Sequence, residues 1–242
     1  MKYLFLNSYL NAIEKHIADQ IDFDRMINAK DRSDAMDVLQ DTDYGRWALE
    51  SDDLEEIFES EKTYFSNDLA KMGAEKLKDL FSVRADIVNL RVFLKREMFN
   101  LDSGSLLNWG KNEKQLLEEF EEEIEGAKKI NSPAKLDDYL TEVYLDRLAE
   151  FSKGEAVVES FIAEYREILA DYEGKTKDQK IKKIEDDFIF ENKKKNEGLA
   201  PVLAFFMRKW RAEKKVRTII TGKEIEFSPK KIKNLVEDLR SI

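Results

Sequence analysis

No cysteine occurs in the chain, which excludes disulfides, a thiolate nucleophile and cysteine-ligated metal. Histidine occurs once, at His16, so a multi-histidine metal site is excluded too. His16 lies beside an apolar stripe, where a structural or surface role outweighs a catalytic one. Glycine (9) and proline (3) are scarce among 242 residues. All-β folds need frequent turns, and the residues that make turns are missing, so the chain is predicted to be all-α. No apolar run approaches the ~20 residues that span a bilayer. Tyr3-Leu4-Phe5-Leu6 follows a lysine but is too short for a signal-peptide core. These absences predict a soluble, cytoplasmic helical protein.

What is present is charge. Hydrophobic residues make up 42% and charged residues 38%, with a net charge of −10. The charge is uneven: residues 175–242 carry 19 Lys+Arg against 11 Asp+Glu, whereas residues 1–174 carry 22 against 40. Nucleic acid is a poor partner for the acidic part, which repels phosphate. The polarity has two readings: steering between oppositely charged neighbours, or attraction between two parts of one fold.

Helical periodicity runs along most of the chain. Leu6, Leu10, Ile13 and Ile17 share a face in residues 2–20, and Phe23, Met26 and Ile27 begin a second helix. Ser33-Asp34 is a candidate cap for a third. Asp52-Asp53-Leu54-Glu55-Glu56 resembles an aspartate-rich metal motif, but acidic residues in a first helical turn are favoured by the helix dipole alone. Residues 75–99 carry an apolar stripe of Val83, Ile87, Leu90 and Leu94. Asp86, Asn89 and Arg91 are set in or beside it as a polar core expected to hydrogen-bond across helices. Asn100–Asn112, with Gly104 and Gly110, reads as a loop and the domain boundary, dividing the chain into bundles at 1–110 and 111–242. Glu113–Glu125 is predicted as one acidic helix. Ser132-Pro133 starts another, residues 155–172 form a further one, and lysine-rich Gly174–Lys183 is expected to be solvent-exposed.

Glu197 to Lys223 organises the rest. Leu199, Leu203, Phe206, Trp210, Glu213, Arg217 and Ile220 fall at steps of three or four on one helical face. Glu213 and Arg217 are one turn apart and able to pair. Pro201 suits a helix start and Gly222 a helix stop. Arg208, Lys209, Arg211 and Lys215, with Lys214, read as a basic outer face, the candidate partner-contact patch. Ser228-Pro229 then opens a final helix with Ile232, Leu235, Val236 and Leu239 on its buried face. No residue type or spacing points to a catalytic, cofactor or metal site.

The C-terminal stretch resembles the end of the C-type central-stalk component of the V-type/A-type ATP synthases, the counterpart of the d-type component in eukaryotic vacuolar ATPases. The resemblance rests on Gly198, Pro201, Val216-Arg217-Thr218-Ile219-Ile220-Thr221-Gly222-Lys223, and a short last helix from Ile232 to Leu239-Arg240. Leu39-x-x-Thr42-x-Tyr44 is similar to an early signature of that family, and Asp86-Ile87-Val88-Asn89-Leu90-Arg91 to its core motif. The resemblance implies helical bundles related as internal repeats, in a shortened version with the middle unit reduced. It also implies a non-catalytic central-stalk subunit that couples the rotor shaft to the membrane ion-carrying ring, for proton or sodium transport. Its partners would be shaft and ring subunits, its place the inner face of the membrane through protein contacts, and cofactors none. Two alternatives stand beside it: a helical adaptor with unrelated partners, and a carboxylate-metal enzyme using Asp52/Asp53 or Asp186/Asp187.

Overall fold

The computed structural model describes residues 3–101, 110–237 and 239. These are all-α, with no strand among them. The helices are α1 (Leu4–Ile13), α2 (Gln20–Asn28), α3 (Arg32–Asp37), α4 (Gly45–Ala48), α5 (Leu54–Lys71), α6 (Glu75–Phe99) and α7 (Glu113–Glu119). They continue as α8 (Glu121–Ala127), α9 (Pro133–Phe151), α10 (Ala156–Asp171), α11 (Gly174–Asn192), α12 (Ala200–Glu224) and α13 (Pro229–Glu237). Two 3₁₀ turns, Glu14–His16 and Val38–Asp41, link early elements. Gly104 and Arg240 lie outside the described residues.

Local chemistry explains most boundaries. Asp19 closes a capping box with Asp22 at the start of α2, which breaks the single helix expected over residues 2–20. Asp31, not Ser33, caps α3 through the Asp34 amide. Asp53 Oδ1 accepts the Glu55 amide at 2.8 Å, so this acidic run starts α5. Asn112 and Gln115 form a second capping box at α7. The single acidic helix expected here is two, because Phe120 leaves helical geometry (φ −111°, ψ 29°) and buries its ring. Three consecutive glutamates then open α8, where the dipole favours them. Ser132 caps α9 with Pro133 in its first turn. Gly174–Lys183 is largely exposed, as expected, and forms the start of α11, with Lys177 and Ile181 buried within it.

The chain forms two compact units that are not sequential halves. One contains residues 1–61 and 163–242, the other 62–162, so the chain leaves the first unit within α5 and returns within α10. The division expected after residue 110 would run through the second unit. In that second unit α6 packs on α9 and α7, and α8 packs on α7 and α9, burying Leu90, Leu94, Leu136, Leu140 and Leu148.

In the first unit α12 is the central element, packed by α1, α2, α3, α11 and α13. Its helical faces are buried nearly all round, which is the expected pattern for a core helix and not for a surface one. Leu203, Phe206 and Trp210 lie at its heart, with the Phe206 and Trp210 rings stacked at 6.0 Å between centroids. Gly222 does not end the helix, which continues to Glu224; the left-handed residue is Glu226 (φ 57°). Gly222 serves close approach instead: a Cβ there would sit 2.8 Å from Ile232 Cγ1 of α13.

Candidate functional site

The N-terminal 61 residues carry 16 Asp+Glu against 6 Lys+Arg. They fold with the basic C-terminal stretch in one unit, so part of the charge polarity along the chain is met internally. The pairing is made by α12. Lys209 is 4% exposed and lies between the carboxylates of Asp43 and Glu61, with Glu61 Oε1 at 2.7 Å and Asp43 in direct contact. Its ammonium also sits 4.8 Å from the centroid of the Tyr44 ring. Burial opposes this charge, but the two carboxylates outweigh it and raise the lysine above its ordinary value.

The other cations of α12 behave alike. Arg208 pairs with Glu14, and Arg211 with Glu185 at 3.1 Å and with Asp186. Lys215 lies over the Phe23 ring at 4.9 Å, and burial, then Arg211 and Lys182, lower its pKa. Lys223 donates to the Ala29 carbonyl. Arg208, Lys209, Arg211 and Lys215 are therefore not an exposed basic face. An expected solvent-facing patch is instead a set of ties from the core helix to α11 and to the N-terminal segments. Lysine and arginine read as surface residues by default, and the carboxylates that bury them lie far away in sequence. The acid excess of the first 61 residues was the signal that could have located Glu14, Asp43, Glu55 and Glu61.

Glu213 and Arg217 pair as their spacing predicts, at 3.0 Å. Arg217 also reaches Glu55 on α5 and stacks over Phe58 at 4.6 Å. Burial pulls its guanidinium down to about 10, which leaves it charged at neutral pH. Thr42 Oγ1 donates to the Leu39 carbonyl at 2.7 Å and accepts the Tyr44 amide at 3.3 Å, which turns the Tyr44 ring inward against Phe58. Tyr44 is buried, and desolvation followed by the Asp43 charge raises its pKa well above the usual value.

The second unit holds the other polar group. Asp86 is fully buried on α6 and accepts both the Lys111 amide at 2.7 Å and the Lys111 ammonium at 2.6 Å. Asn89 Nδ2 donates to the Lys111 carbonyl at 3.4 Å. These two side chains clamp the segment before α7 onto α6. Arg91 Nε meets Asp137 of α9 at 3.1 Å, and Lys95 meets the same carboxylate at 2.8 Å.

An open groove of about 510 Å³ lies between Arg32, the start of α5 and the end of α12. Leu54 and Ile220 are apolar in its lining, and Asp52, Asp53, Glu55 and Glu224 are acidic. Arg32 donates to the Asp52 carbonyl at 3.0 Å. Asp186 and Asp187 face different cations, Arg211 and Lys183. Among the described residues no group of three or more histidines and carboxylates is placed to hold a metal ion. No helix among them is long and apolar enough to cross a membrane. The arrangement binds helices to one another through ion pairs and capped turns.

Comparison with protein-family models, curated proteins and solved structures finds no match.

Proposed function

We propose that the protein is a non-catalytic central-stalk subunit of a V-type/A-type ATP synthase, of the C-type kind, in a shortened form with related helical bundles. It joins the rotor shaft to the membrane ion-carrying ring and works at the inner face of the membrane through protein contacts. Ion flow through the ring and nucleotide chemistry in the head are carried out by other subunits.

The observation that carries this reading is the engagement of the motif residues around α12. Gly222 receives Ile232 of the last helix, Lys223 ties to the Ala29 carbonyl, and Arg217 joins Glu213 to Glu55 on α5. The Leu39-x-x-Thr42-x-Tyr44 turn delivers a ring to the same helix through Lys209. A part that transmits torque needs stiffness, and cross-linking a buried helix to its neighbours by paired charges supplies it. That residues resembling the family signature meet around α12 supports a mechanical role, as does the connection that the Asp86/Asn89 motif fixes in the second unit.

The test is co-purification of the full chain with shaft and ring subunits of its own organism. The expected result is a stable complex containing both. Recovery of the chain with neither subunit contradicts the proposal.

A further inference from the structure

Lys215 stands apart from the other cations of α12. Arg208, Lys209, Arg211 and Arg217 each meet a carboxylate, and Lys223 meets a backbone carbonyl. Lys215 is half-buried. Its ammonium faces the Phe23 ring of α2 at 4.9 Å and, among the described residues, no carboxylate at ion-pairing distance. The acids nearest to it are engaged elsewhere: Asp186 pairs with Arg211, and Asp24 accepts the side-chain amide of Gln20 at 3.0 Å. Two cations crowd it instead. Arg211 lies one turn back on the same helix, and Lys182 comes from α11, which packs on α12. Burial, then Arg211 and Lys182, oppose the charge on Lys215 more than the attraction of Asp186 and Asp24 supports it. A phenyl ring supports an ammonium less than a paired carboxylate does. The neutral amine carries the lone pair, so a lysine that is desolvated and set beside other cations is an activated nucleophile.

We propose that Lys215 is a modification site that accepts the acyl group of small acyl phosphates such as acetyl phosphate. The Lys215 Nζ lone pair forms a bond to the acyl carbon, and the bond from that carbon to the phosphate oxygen breaks. Phosphate leaves with the electron pair, the surplus amine proton passes to water, and nothing is oxidised or reduced. The same cations that favour the neutral amine attract the anionic donor. Lys182 is available for this, because among the described residues it meets no carboxylate at ion-pairing distance. The product is a neutral amide, which removes the lysine charge and its contact with the Phe23 ring. None of this depends on the stalk reading, since the chemistry belongs to the side chain and its neighbours.

The experiment incubates the full wild-type chain with acetyl phosphate at mildly alkaline pH and follows acetylation lysine by lysine with peptide mass spectrometry. Lys153, Lys194 and Lys230 are exposed and serve as internal controls. Access alone favours them over a half-buried amine. Lys215 is nevertheless expected to react at least about fivefold faster than any of the three. K182Q, confirmed as folded by its helical circular dichroism, is expected to slow Lys215 by about twofold or more and to leave the controls unchanged. Acetyl-CoA at equal concentration is expected to be the slower donor at Lys215, because its bulk hinders approach to a half-buried amine. The proposal is overturned if Lys215 reacts no faster than the exposed lysines, if its rate is unchanged in folded K182Q, or if acetyl-CoA is the faster donor.

Discussion

Lys209 and Glu61 meet at 2.7 Å inside the first unit, with side chains only 5% and 7% exposed, and Asp43 completes the group from the other side. Three charges out of water are tolerated because each faces an opposite one, and removing one strands the others. Lys209→Met is therefore expected to destabilise the protein by about 3–5 kcal/mol, read from urea unfolding. The triple variant Lys209→Met, Asp43→Asn, Glu61→Gln, which leaves no unpaired charge, is expected to recover most of that loss. If the triple is no better than the single, the cost lies in packing and not in charge.

Asp86 holds the Lys111 amide and ammonium together. Asp86→Asn keeps the volume but loses the charge-assisted bond to the ammonium. Hydrogen exchange at the Lys111 amide is expected to accelerate by at least about tenfold, with a loss of about 2–4 kcal/mol in overall stability. Unchanged exchange at Lys111 would show that the clamp does not hold the segment.

Gly45 sits directly after Tyr44, and a Cβ there would press on the backbone carbonyl of Gln40 in the preceding 3₁₀ turn. Backbone cannot swing aside as a side chain can. Gly45→Ala is expected to destabilise by about 1–3 kcal/mol despite alanine's better helix propensity. A stabilised variant in thermal unfolding would contradict this packing.

Tyr44 keeps its proton in the folded state well above the usual value of 10.0. A group whose folded pKa is raised contributes stability below its unfolded pKa and loses it as pH climbs toward the folded one. Above about pH 10.5 the unfolded state has released the tyrosine proton and the folded state has not, so stability should fall by about 1.4 kcal/mol per pH unit from this residue. Lys209, raised above 10.5, acts in the same direction. Tyr44→Phe is expected to flatten the alkaline slope by that amount in urea titrations at successive pH values. An unaltered slope would mean the hydroxyl titrates normally.

Much of the fold could be read from the chain. Scarce glycine and proline with sustained helical spacing pointed to an all-α protein, and Ser132-Pro133 and Ser228-Pro229 marked the starts of α9 and α13. The Glu213–Arg217 pair followed from one turn of spacing. What stayed hidden depended on distant partners. Arg208, Lys209 and Arg211 look solvent-facing until Glu14, Asp43, Glu61 and Glu185 arrive from other helices. Gly222 looks like a helix end until Ile232 is seen against it. The insertion of residues 62–162 between the two chain segments of the other unit has no signature in composition, because the chain passes from one unit to the next within α5 and α10 and not at a linker.

Ion transport by a reconstituted rotary ATPase is the direct test of the proposed mechanical coupling. With all other subunits present but this chain omitted, ATP hydrolysis by the head is expected to persist while ATP-driven ion uptake into vesicles is lost; adding the full chain is expected to restore uptake. Uptake at the same rate with and without the chain would contradict the account.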